Sequence, residues 1–165
     1  RHSVRAFEAK PVETEKLNRI LELANLAPSA GNLQGYEIYH VTAVPARAAL
    51  ARAADQSFIA EAPVILVFFA NPGRSARKYG ARGKELYAIQ DATIAVTYAM
   101  LAATDLGLGT VWVGAFDPVR VTTATGAPPD WIPVAVLPIG YAAEAPGPTA
   151  RRSLSDLVRA IQDRD

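Results

Sequence analysis

The 165-residue chain contains no cysteine, one methionine and only two histidines, His2 and His40. Without cysteine there are no disulfides, no thiol redox chemistry and no Cys-based zinc or iron–sulfur sites. Two imidazoles far apart in sequence do not make a histidine-rich metal centre. Neither sign of charge is in excess: the formal net charge is +1, so composition gives no reason to expect nucleic acid or an anionic membrane as a partner. Long apolar runs are missing too. The most apolar stretch, 85–116, is interrupted by Gln90, Asp91, Thr93 and Thr97, far short of the roughly 20 uninterrupted residues a span needs. No signal-peptide pattern is visible, and the expected location is cytoplasmic. There is no phosphate-loop motif and no Gly-x-Ser-x-Gly elbow, and no Ser–His–acid triad can be assembled. Gly107-Leu108-Gly109 follows a helix and precedes a strand, the wrong order for a dinucleotide-binding turn.

What is present is a large apolar fraction, 50% of residues, in a length suited to one domain over 1–165. Stretch 85–116 organises it. Ala88, Ala92, Ala95, Ala99 and Ala102 recur at spacings of four and three, a seam of small side chains that lets another helix approach closely. Tyr87, Ile94, Tyr98 and Leu101 lie on a different face, suited to packing on a sheet. Gly107 or Gly109 caps the helix in the left-handed conformation, and a strand over 110–113 ends at the bare backbone of Gly114.

Elsewhere, Thr14 is the expected N-cap of a helix carrying Leu17, Ile20, Leu21, Ala24 and Ala27 at helical spacing. Residues 28–35 read as a loop, 36–41 as a strand, 45–54 as a helix and 64–69 as a strand buried on both faces. Residues 71–84 hold Arg74, Arg77, Lys78, Arg82 and Lys84 and read as a loop or excursion, either a solvated surface or a grip on an anionic substrate. A short helix over 118–125, a turn at 128–130 and a strand over 132–139, interrupted by Pro133 and Pro138, follow. Residues 141–149 are irregular, and a closing helix over 155–162 takes Ser153 or Ser155 as its cap. The succession implies one α+β or α/β layered unit.

Arg1, Ser3 and Arg5 alternate, so in an extended chain they point the same way. Two guanidiniums and a hydroxyl on one side suit a phosphate, and Arg151 and Arg152 offer further positive charge. Taken singly, each cluster is more often a plain surface feature. Pro28, Ser29, Asn32 and Gln34 bring hydroxyl, amide and bare-backbone groups together, suited to the edge of a heteroaromatic ring. Asp91 reads as a buried base or, better, as a hydrogen-bonding group between helices.

Taken together and in this order, these segments resemble the FMN-dependent nitroreductase family. Arg1-His2-Ser3-Val4-Arg5-Ala6-Phe7 is similar to that family's opening, and Pro28-Ser29-Ala30-Gly31-Asn32-Leu33-Gln34 to its Pro-Ser-x-x-Asn-x-Gln loop. Residues 102–114 resemble its Leu-Gly-Leu-Gly helix end and strand, and Pro138-Ile139-Gly140-Tyr141 with Arg151 its closing motif. The resemblance implies an α+β sandwich, with a mixed central sheet flanked by helices, in a homodimer with FMN at the interface. It implies that Arg1, His2, Ser3 and Arg5 hold the FMN phosphate, ribityl chain and pyrimidine edge, with Arg151 and Arg152 completing the phosphate site. Pro28, Ser29 and Asn32, with Gln34 in the same loop, would reach the neighbouring subunit's flavin, and Val113 and Gly114 would lie beside its N5. The alanine seam would then meet the second subunit. NADH or NADPH is the implied hydride donor and a nitroaromatic, quinone or similar small molecule the acceptor, with no catalytic side chain required. The same fold also admits a reductive dehalogenase or flavin-consuming enzyme, and an FMN carrier or sensor belongs to a different class.

Overall fold

Seven consecutive apolar residues, Val64–Ala70, form a strand in which every residue is buried. The rest is layered around it. The computed structural model describes residues 1–161 in the order α1 (Thr14–Asn25), β1 (Tyr36–His40), α2 (Val44–Ala54), α3 (Phe58–Glu61), β2 (Val64–Ala70), α4 (Pro72–Arg82), α5 (Ala88–Asp105), β3 (Gly109–Thr110), α6 (Pro118–Thr125), β4 (Ile132–Gly140) and α7 (Leu154–Leu157). The strands lie in the order β1-β2-β4-β3, and all three ladders are antiparallel. The expected mixed character rests on one parallel bridge, Ser3 to Thr110. Because side chains alternate along a strand, β2 feeds two cores. Leu66 and Phe68 face α1 and α5, while Ile65, Val67 and Phe69 face the side covered by α2 and α6. This is the expected α+β sandwich.

The alanine seam is as regular as its spacing suggests, but its partner is different. Ala88, Ala92, Ala95 and Ala99 are completely buried within the chain, in one cluster with Ile20 and Ala24 of α1 and Leu66, Phe68 and Leu137 of the sheet. Side chains this small let α5 settle directly on its own α1 and sheet, so these four are covered from within and do not meet a second subunit, while Ala102, the fifth of the seam, borders the outward face. Of the face expected to pack on the sheet, Ile94 is half-buried against this core, while the part that carries Tyr98 and Leu101 is reversed. It points outward, with Tyr98 38% and Leu101 53% exposed.

The expected loop over 71–84 is instead helical. Asn71 accepts the Arg74 amide on its side chain, Pro72 occupies the first turn, and Pro72 and Ser75 are buried. The helix breaks at Gly80 (φ +54°) and joins α5 through a π-helical turn, Gly83–Tyr87. The combined run, Pro72–Asp105, is long and apolar enough to cross a membrane by length and composition, but its alanine face is core.

Other boundaries differ modestly. Glu13, not Thr14, is the N-cap of α1, without a side-chain bond. The strand expected over 110–113 pairs only at Gly109–Thr110 and rejoins β4 at Val113, opposite Val136. β4 runs unbroken through both prolines, with Pro133 beside an irregularity in register. The closing helix covers only Leu154–Leu157, capped by Ser153, and Gln162 lies outside the described residues. Short α3 was not anticipated. Gly107 is the left-handed cap of α5 (φ +77°), while Gly109 gives room to Val4, whose carbons would stand 2.9 Å from an added Cβ.

Enlarging Ala95 or Ala99 to Leu is expected to overpack the contact of α5 with α1 and β2, at a cost of about 1–3 kcal/mol. Urea unfolding measures it, and an unchanged midpoint and slope would show slack in that contact.

Candidate active site

The opening segment lies along the sheet edge. The Val4 amide donates to the Thr110 carbonyl at 3.0 Å, Phe7 bridges to Ala142, and Ala143 donates back to Ala6 at 2.9 Å. Val4 is 5% exposed and turned inward, so Ser3 and Arg5 point to the other side, as their alternation requires. Arg1, His2 and Arg5 are exposed and Ser3 half-buried. The Arg1 and Arg5 guanidiniums form no ion pair among the described residues. A carboxylate that sequence reasoning missed, Glu144, holds the segment in place by accepting the Arg5 and Ala6 amides. Thr110, paired with Ser3 and so on its side of the sheet, keeps a buried hydroxyl without a partner. Farther along the same edge, Val113 is buried and Gly114 exposed.

Loop 28–34 is held by Asp91. This carboxylate is 2% exposed and accepts the Ala30 amide at 2.9 Å and the Gly35 amide at 3.2 Å. It is a loop anchor rather than a base. Burial, and then the Asp91 charge, push the neighbouring Tyr36 phenol up from its ordinary pKa. Within the loop the Ser29 hydroxyl accepts the Gln34 amide at 2.9 Å, and the Gln34 side chain donates to the Asn32 side chain at 2.7 Å. Asn32 (φ +57°) and Gln34 (φ +46°) both adopt left-handed conformations. Such strain persists only where surrounding contacts enforce it, and it concentrates at functional sites. Arg74 of α4 adds a bond from Nε to the Leu33 carbonyl. Pro28, Ser29 and Ala30 form one wall of a groove of about 530 Å³, with Tyr87, Gln90, Asp91, Thr93 and Ile94 opposite.

The structure does not bring all the expected residues together in one chain. Loop 28–34 is fastened at the start of α5, and the opening segment lies beside β3, just past the end of α5. At 1.5 Å per residue the two half-sites are separated by roughly 20 Å along the helix. Arg151 and Arg152 donate to carbonyls of their own tail at Thr149, Ala150 and Asp156, and among the described residues they bond to neither half-site.

A family model described as the Nitroreductase family matches residues 1–57 and 44–141. The chain belongs to the nitroreductase family. Among its curated relatives, the NADH dehydrogenase of Thermus thermophilus is 34% identical, over 96% of this chain and 91% of its own length. The 5,6-dimethylbenzimidazole synthase of Rhodospirillum rubrum is 30% identical, over 87% of this chain and 79% of its own. Among solved structures, the NADPH:FMN oxidoreductase of Vibrio harveyi complexed with NAD+ superposes with a TM-score of 0.89 at 25% identity, over 100% of this chain and 75% of its own.

In this nitroreductase a second polar cluster fastens α1 to the sheet. The Tyr141 hydroxyl lies 2.8 Å from both Glu13 carboxylate oxygens, and Lys16 Nζ donates to Tyr141 Oη at 2.9 Å and to the Leu106 carbonyl at 3.1 Å. The hydrogen bond to Tyr141 raises the Lys16 pKa. Asp91 could be picked out in the sequence as the lone acid in the apolar body of α5. Glu144 carried no such signal. Asp91→Ala is expected to leave two amides without partners and cost about 1–3 kcal/mol, with Asp91→Asn recovering part of the loss. Chemical denaturation of both variants tests this, and equal stability of Asp91→Ala and the parent would contradict the anchoring role.

Proposed function

We propose that the protein is a single-domain, cytoplasmic, homodimeric oxidoreductase that passes hydride from NADH or NADPH, by a ping-pong scheme in one shared pocket, to a nitroaromatic, quinone or similar acceptor. Membership of the nitroreductase family makes it an NAD(P)H-dependent oxidoreductase with FMN as cofactor. When bound, FMN supplies the hydride chemistry at its N5.

The residues present fit that cofactor. Arg1, Ser3 and Arg5 lie on one side of an extended, pinned segment, and their cationic ends are free of acidic partners. A guanidinium pair of this kind binds a phosphate through charge-assisted, bidentate bonds. His2 adds a donor at the ribityl chain and pyrimidine edge, and Arg151 and Arg152 reach the phosphate from the tail. Gly114 offers bare, exposed backbone to the ring, where an amide stabilises developing negative charge, and Val113 beside it is held by its paired bonds to Val136. Pro28, Ser29, Asn32 and Gln34 close over the ring from the neighbouring subunit. No acid–base side chain is needed, in keeping with the absence of a triad.

The observation that carries the dimer is the separation of the half-sites by α5, which exposes Tyr98 and Leu101, beside Thr97, between them. Leu23, Tyr98, Leu101 and Ala102 line a shallow groove on that face. Two copies related by a two-fold axis across it set the start of one α5 near the end of the other, which joins loop 28–34 of one chain to the opening segment of its partner.

A visible spectrum followed by anaerobic addition of NADH and NADPH tests the function. A yellow protein bleached by either donor is expected. A colourless protein that cannot be loaded with FMN overturns the reading, bleaching by dithionite alone indicates a carrier, and flavin consumed in turnover indicates a flavin-degrading enzyme. Arg1→Ala or Arg5→Ala is expected to weaken FMN binding by roughly 1.5–3 kcal/mol in a fluorescence titration. Leu101→Glu alters a residue already 53% exposed in the single chain. Gel filtration is expected to show folded monomers that lose FMN, and a dimer that keeps its flavin would place the interface elsewhere.

A further inference from the structure

The cations of α4 and the π-helical turn are more numerous than the fold requires. Residues 72–87 carry Arg74, Arg77, Lys78, Arg82 and Lys84 against one acid, Glu85, in a chain of net charge +1. All five are exposed, and among the described residues none forms an ion pair. Arg74 is committed to the Leu33 carbonyl. Two others stand at the groove beside loop 28–34. Arg82 donates through Nε to the Tyr87 hydroxyl at 2.9 Å, which leaves the terminal nitrogens of its fork free, and Tyr87 lines the groove. Lys78 Nζ makes no hydrogen bond and lies over Gly31, where an added Cβ would come within 2.7 Å of it; Gly31 adjoins Ala30 of the groove wall. Between them Tyr79 packs edge to face on Tyr87, ring centroids 5.1 Å apart. The break at Gly80 and the π-helical turn shape this corner, and such departures from α geometry recur at ligand sites.

A groove with apolar and aromatic lining beside two cations that have no acidic partner among the described residues, each resting over a tyrosine ring at 5.4 Å, suits a nucleotide that carries an extra phosphate. Resting on the nitroreductase reading, we propose that Lys78 and Arg82 hold the ribose 2′-phosphate of NADPH and make NADPH, rather than NADH, the hydride donor. The two donors differ only in that group, which brings about 1.5–2 negative charges near neutral pH. Arg presents a fork to phosphate oxygens and Lys a point charge. Recognition of NADH commonly uses a carboxylate on the ribose hydroxyls. The one acid in the groove wall, Asp91, is buried and engaged by two amides.

The test uses the FMN-loaded protein and two substitutions. Lys78→Ala removes a side chain that bonds nothing in the chain, and Arg82→Gln retains a donor for Tyr87. Two readouts are taken: kcat/KM with each donor, and calorimetric titration with NADP+ and NAD+. The parent is expected to favour the phosphorylated nucleotide at least tenfold in both. Each substitution should cut that preference by about tenfold, the size of one charge-assisted contact, through KM rather than kcat. Added salt should weaken the preference in the parent more than in the double variant. Equal use of both nucleotides by the parent, or an equal loss for both in the variants, overturns the proposal. If neither donor bleaches the flavin, the oxidoreductase reading falls instead, and the NADP+ and NAD+ titrations still decide the phosphate site.

Discussion

The close approach of α5 to α1 and the sheet is the contact on which the rest depends. It is possible because alanine stands at every point where the surfaces meet, and 0% exposure at Ala88, Ala92, Ala95 and Ala99 leaves no gap for water. Protein interiors pack at crystal-like density, so such a contact has little freedom to rotate. With the alanine face turned inward, Tyr98 and Leu101 must face out. The same rotation sets Asp91 beneath loop 28–34 and delivers Gly107 and β3 to the edge where the opening segment pairs.

Each half of the site is then held by a carboxylate on backbone amides. Asp91 collects two amides of one loop, and Glu144 collects two from the opening segment. Charged acceptors make stronger hydrogen bonds than neutral ones, and a buried carboxylate is tolerated only when it is satisfied in this way. The strained Asn32 and Gln34 are kept in place by this anchoring together with the bond from Arg74. The proposed site on this scaffold is largely backbone presentation plus cationic side chains, which suits chemistry carried by a cofactor.

Charge is distributed unevenly although the total is nearly balanced. Four acids are spent on the scaffold: Glu13 on Tyr141, Asp117 on the first turn of α6, Asp91 and Glu144 on amides. The cations at the opening segment and on α4 have no acidic partner among the described residues, and both groups flank proposed binding regions.

Much of this was legible in the residues themselves. The inward Val4 between outward Ser3 and Arg5, the doubly buried β2, the cap at Gly107 and the helix Pro118–Thr125 all follow from short-range rules of alternation, apolarity and turn chemistry. The family resemblance is carried by those same local segments. The helix α4 was not legible, because Gly73, Gly80 and a run of cations read as a loop, while its stability comes from the Asn71 cap, buried Pro72 and Ser75, and continuity with α5. The order of the strands and the pinning of residues 5 and 6 by Glu144, across 139 positions, join parts no local pattern connects. Periodicity showed that α5 has a small-residue face and a large one. Only the folded chain decided which is covered from within, because that depends on what packs against the helix and not on the helix alone.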